Sequence, residues 1–209
     1  MKFKPVLENR YFNAHQKYEQ INWSDFLEVT RGFQFRIEEW YIRPLHSLQE
    51  ASGNYGFAVM ALDCLLIDTL SQYRYGELES DKKIFLKFIR EICPKFKQKL
   101  PKPIQNKRGK LLNDAADVLY SYRCGILHEA HIPLYGGIPG TEIFEIYESG
   151  HVTYEDGQDC PSLIINPYKL AEVVELYFDD YIKQLLDQSN TLLRENFRKK
   201  FSASFGIEI

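Results

Sequence analysis

Arg123 and His128 lie five positions apart in the segment LLNDAADVLYSYRCGILHEAHI, and as residue types they suit phosphate chemistry. A guanidinium presents a rigid fork of donors to phosphate oxygens and can stabilise charge growing in a pentacoordinate transition state. An imidazole titrates near neutrality and can move the proton of a ribose 2′-hydroxyl or of a leaving oxygen. At 100° per residue, residues 112 to 128 place Leu112, Ala115, Ala116, Leu119, Ile126 and Leu127 on one helix face, and Arg123 falls among them. A cation on a packing stripe needs a carboxylate or an anionic ligand to offset its desolvation. Asp63 and Asp68, both embedded in the apolar run FAVMALDCLLIDTL, can provide a structural ion pair, and Glu129 can steady the adjacent His128.

Five positions turn a straight helix about 140° past a full turn, so spacing alone does not put Arg123 and His128 on one face. Distortion at Gly125, helix termination before Pro133, or a twofold dimer that brings two copies of the helix together would combine them. The hexapeptide Arg123-Cys124-Gly125-Ile126-Leu127-His128, an Arg and a His separated by four residues near the end of a helix, resembles the motif of the HEPN superfamily. Those proteins are all-helical, often dimeric, and many are metal-independent endoribonucleases of toxin and antiviral systems. The resemblance covers residues 24 to 132 and 166 to 200. It implies that Arg123 neutralises the scissile phosphate, that His128 is general acid or base, and that RNA, a second copy and a cognate antitoxin or regulatory protein are the partners. It implies no cofactor. A non-catalytic module of the same fold, binding nucleotide, RNA or a protein partner, is the alternative.

Other motifs carry less chemistry. His128, Glu129 and His131 lack the four-residue histidine spacing of a zinc helix, even with His151 or Cys160 to complete a set, so no metal site is expected. His131 reads as a helix-end residue favoured by the dipole. Gly136, Gly137 and Gly140 lack the Lys-Ser/Thr ending of a nucleotide loop. The stretch 94 to 110, PKFKQKLPKPIQNKRGK, has seven Lys or Arg, three Pro and no acid. It reads as an exposed basic connection, and Lys95, Lys97, Lys99, Lys102, Lys107, Arg108 and Lys110 are its candidates for a nucleic-acid backbone.

The elements that position these residues are mostly helical. Residues 22 to 50 predict a helix capped at Ser24 and kinked near Pro44, residues 57 to 70 an enclosed central helix, and residues 80 to 93 a third helix that stops at Pro94. The motif segment, from residue 111 until Pro133, makes a fourth. A long closing helix runs from an Asn166 cap with Pro167 at its first position. Between Arg123 and Lys169 there is no Lys or Arg, and TEIFEIYESGHVTYEDG alternates about Ser149-Gly150 as a hairpin does. The expected architecture is a single mainly α domain over residues 1–209, a bundle of about five helices with an acidic β-hairpin insertion at about 133–165.

Bulk properties bound the function. The 209 residues are 44% hydrophobic, enough for one substantial core. A formal charge of -3 gives no strong overall field toward nucleic acid, so any polyanion must be met locally. Four dispersed cysteines without a CxxC pair fit reduced thiols in a cytoplasm. No signal-length apolar stretch opens the sequence and no long apolar run suggests a membrane span.

Overall fold

The computed structural model describes residues 10–106, 109–133, 136–138, 141–148 and 159–209. Helix takes 61% and strand 13% of the described residues, so the chain is mainly α. Among the described residues no helix is long and apolar enough to cross a membrane. The chain gathers into two compact units: residues up to Ala51 with Asp68–Asp81 and Glu175–Ile209, and Ser52–Ile67 with Lys82–Val174.

In the first unit, helix α1 (Phe26–Ile37) is capped one residue later than expected. The Asp25 carboxylate, not Ser24, accepts the N–H groups of Leu27 at 2.9 Å and Glu28 at 3.3 Å. The kink expected near Pro44 is a π-helical turn at Glu38–Ile42. It leads into α2 (Arg43–Glu50), whose first turn tolerates the missing N–H of Pro44. The long closing helix is two helices, α6 (Pro167–Leu186) and α7 (Thr191–Phe205). They part at Asp-Gln-Ser-Asn, where Asp187 accepts both the N–H and the hydroxyl of Ser189 at 2.9 Å, and the Asn190 amide donates to the Gln184 carbonyl at 3.0 Å. Such short polar side chains compete with the helix for backbone partners. An aromatic core fills this unit, with Phe33 4.6 Å from Tyr73 and 5.2 Å from Phe197 between ring centroids.

Helix α3 (Gly56–Tyr75) gives its first part to the second unit, as does α6, whose start is capped by Asn166 accepting from the N–H groups of Tyr168 and Lys169. The second unit also holds α4 (Lys82–Ile92) and α5 (Ala115–Glu129). Between them the basic stretch is more regular than a connection. A short 3-10 turn, Pro94–Lys97, precedes an antiparallel pair of strands, β1 (Lys99–Gln105) and β2 (Leu111–Asp114). Phe96, Leu100 and Ile104 are buried, while Lys95, Lys97, Lys99, Lys102 and Lys110 face solvent. Pro101 and Pro103 lie in the irregular part of the ladder, between the pairs Lys99–Asp114 and Ile104–Leu112, where a missing N–H is tolerated. Residues 111 to 114, expected to be helical, are therefore the return strand.

The insertion forms a small sheet in the order β3 (Gly136–Gly137), β5 (Ser162–Ile165), β4 (Phe144–Tyr147). The first limb of the expected hairpin is present as β4, paired antiparallel with β5; Ser149-Gly150 and the second limb lie outside the described residues. The Tyr122 side chain bonds helix α5 to this sheet. The buried Tyr122 hydroxyl donates to the Leu163 carbonyl and accepts the Gly137 N–H at 2.6 Å. Gly136 makes room for it, since a Cβ there would fall 2.3 Å from the hydroxyl oxygen. Tyr122→Phe orphans both strand groups, so we expect a loss of about 1–3 kcal/mol in urea unfolding. A near-neutral result would mean that water replaces the hydroxyl.

Candidate functional site

Helix α5 carries the motif and is anchored at its head. The Asp114 carboxylate caps it by accepting the Asp117 N–H at 3.0 Å, and Arg90 Nη2 of α4 lies 3.0 and 2.8 Å from the two Asp114 oxygens. Asp117 in turn accepts from Lys82 Nζ at 2.6 Å. Two acids at the positive end of the helix dipole, each met by a cation of α4, fix where the helix begins. At the other end Ala130 adopts the left-handed conformation at φ 51° and donates its N–H to the Gly125 carbonyl. The His131 N–H bonds to the same oxygen at 3.2 Å. The returning chain packs so closely that a Cβ on Gly125 would sit 2.5 Å from the His131 carbonyl oxygen.

Between these anchors Arg123 is half-buried and His128 exposed, with Arg123 Nη1 3.1 Å from His128 Nε2. The helix runs unbroken through Gly125, so the long arginine side chain, not a distortion, spans the five-residue offset. A guanidinium only donates, so Nε2 is the acceptor and the ring proton in this arrangement belongs on Nδ1. Cys124, the next residue, is a half-buried free thiol.

Tyr120, which the sequence reading passed over, belongs to the same surface. The Arg123 guanidinium carbon lies 5.9 Å from its ring centroid, and Lys82 Nζ 5.5 Å from it. Its ring meets Phe85 of α4 edge-on at 5.3 Å. The signal that could have found it is the Tyr-x-x-Arg spacing, which puts two side chains on adjacent helical turns.

The supporting acids take other places. Asp63 is completely buried and neither of its oxygens has a hydrogen-bond partner among the described residues, so it is not the counter-ion of Arg123. Burial alone pushes its carboxyl well above the usual range. Asp68, in the first unit, accepts the Ser80 hydroxyl at 2.7 Å. Glu129 lies 3.6 Å from His131 Nδ1.

Of the basic candidates, Lys95, Lys97, Lys99, Lys102 and Lys110 are exposed, while Lys107 and Arg108 lie outside the described residues. Lys95 approaches Glu142 of the acidic insertion at 3.6 Å and the Phe144 ring at 5.5 Å. Part of the basic charge is thus already answered by the insertion. Among the described residues no group of His, Cys, Asp and Glu gathers as a metal site, and His151 is not among them. Comparison with models of known families, with curated proteins and with solved structures finds no match.

The neutral Asp63 has a consequence for stability. The native state holds this proton to higher pH than the unfolded chain, whose aspartate releases it above about pH 4. Stability is therefore undiminished below that pH and falls by about 1.4 kcal/mol per unit as pH rises, until the native carboxyl also ionises. Asp63→Asn removes this term, so the Tm of the variant minus that of the native protein should grow from pH 4 to pH 8. A difference independent of pH would show that Asp63 is not held protonated.

Proposed function

We propose that this chain is a HEPN-like protein that cleaves RNA without a metal, with Arg123 and His128 as its catalytic residues. The observation that supports the reading best is the 3.1 Å approach of Arg123 Nη1 to His128 Nε2 at the solvent-facing end of α5. A phosphate arriving between them takes over the arginine donors and displaces that hydrogen bond. The Nε2 lone pair is then open to the neighbouring 2′-hydroxyl. The 2′-oxygen attacks phosphorus as His128 takes its proton, the bond to the 5′-oxygen breaks and that oxygen takes a proton from water, His128 returns its own proton to solvent, and Arg123 stabilises the extra negative charge on the phosphate. The products are a 2′,3′-cyclic phosphate and a 5′-hydroxyl. The partners on this reading are RNA, a second copy of the chain, and an antitoxin or regulatory protein, and its setting is the cytoplasm.

A second reading, a HEPN-like module that binds nucleotide, RNA or a protein partner without cleaving, is favoured by the same contact. In the resting arrangement the lone pair that would act as base is occupied by Arg123.

The purified protein incubated with mixed RNAs in excess EDTA separates the two. Cleavage that persists in chelator and falls by about 100-fold or more in both folded variants, Arg123→Ala and His128→Ala, is the expected result. RNA retained without cleavage would favour the binding module, and cleavage unchanged by either substitution would remove both residues from the chemistry.

A further inference from the structure

An open groove of about 580 Å³ runs beside α4, lined by Lys83, Leu86, Lys87, Arg90, Glu91 and Lys97. Four of its six residues are cations, in a chain whose formal net charge is -3. Arg90 is committed to Asp114. Lys83 and Lys87 are exposed one helical turn apart, and Lys97 joins them from the 3-10 turn. On a helix that spacing is about 6 Å, so the two ammonium groups can meet neighbouring phosphates of one extended strand.

Lys82 precedes Lys83, and its ammonium faces the Tyr120 ring, which is flanked in turn by Arg123. Cations interleaved with an aromatic ring are what an unpaired strand uses, its phosphates on the cations and a base on the ring. A duplex would keep its bases stacked and could not use Tyr120.

We infer that the groove of Lys83, Lys87 and Lys97 holds the phosphate backbone of single-stranded RNA and leads the strand past Tyr120 to Arg123 and His128. This rests on the reading of the protein as one that acts on RNA, and it assigns the binding track to α4 as well as to the basic stretch. Leu86 gives the groove an apolar floor, and Glu91 faces the strand with one opposing charge.

The test is anisotropy of a labelled single-stranded RNA over a series of KCl concentrations, with the native protein, with the Lys83→Glu/Lys87→Glu variant, and with Lys183→Glu/Lys199→Glu. The last makes the same change of net charge at exposed positions of the first unit. Circular dichroism checks that each is folded. The inference predicts a loss of about tenfold or more for the groove variant and a slope of log affinity against log salt shallower by about 1.4, with little change in the control. It is overturned if native protein and groove variant bind alike, if the control loses as much, if the native protein does not bind RNA, or if a polyglutamate of equal charge binds more tightly. Cleavage is scored separately: binding that depends on Lys83 and Lys87 without any cleavage would sink the nuclease and leave the groove standing.

Discussion

The Asp114 carboxylate is the contact on which the motif helix depends. It accepts the Asp117 N–H, ending the strand and starting α5, and it receives Arg90 from α4 on its other side. A helix start is otherwise a cluster of unmet N–H groups, so a charged cap that is itself paired fixes the rotation of α5 as well as its first residue. From that fixed start, Tyr122 reaches the sheet, Tyr120 reaches Lys82 and Phe85, and Arg123 reaches His128. The Ala130 turn then halts the helix directly after the motif.

The local chemistry follows from what each group can do. Arginine has no acceptor, so its approach to an imidazole nitrogen determines which nitrogen lacks the proton. Asp63 does the opposite job: a carboxyl sealed in an apolar run, with no donor to meet it among the described residues, is pushed toward its neutral form and leaves Arg123 to find its partner toward solvent. A buried ion pair there would have spent the guanidinium charge on structure.

Much of this was legible in the chain. Apolar periodicity placed the helices, Asn166-Pro167 marked the start of α6, and Arg123 and His128 stood out by residue type. Other features needed three dimensions. Residues 94 to 110 read as an exposed connection, but Pro101 and Pro103 fall where the ladder is irregular, and the buried Leu100 and Ile104 hold β1 in place. The closing helix had a continuous apolar stripe, yet Asp187, Ser189 and Asn190 bond to one another and to the backbone and cut it in two. The wheel put Arg123 on the buried face, but a side chain that long can carry its charge out to the edge. Asp63 looked like a counter-ion because sequence shows that an acid lies in an apolar run, not which way a neighbouring cation turns.

The central claim is that Arg123 donates to His128 Nε2, and a long-range ¹H–¹⁵N spectrum of the histidine ring measures that directly. Under conditions where the ring is neutral, the native protein should show His128 with its proton on Nδ1 and an unprotonated Nε2, and Arg123→Ala should lose that preference. A native His128 protonated on Nε2, unchanged by the substitution, would contradict the pairing and the chemistry built on it.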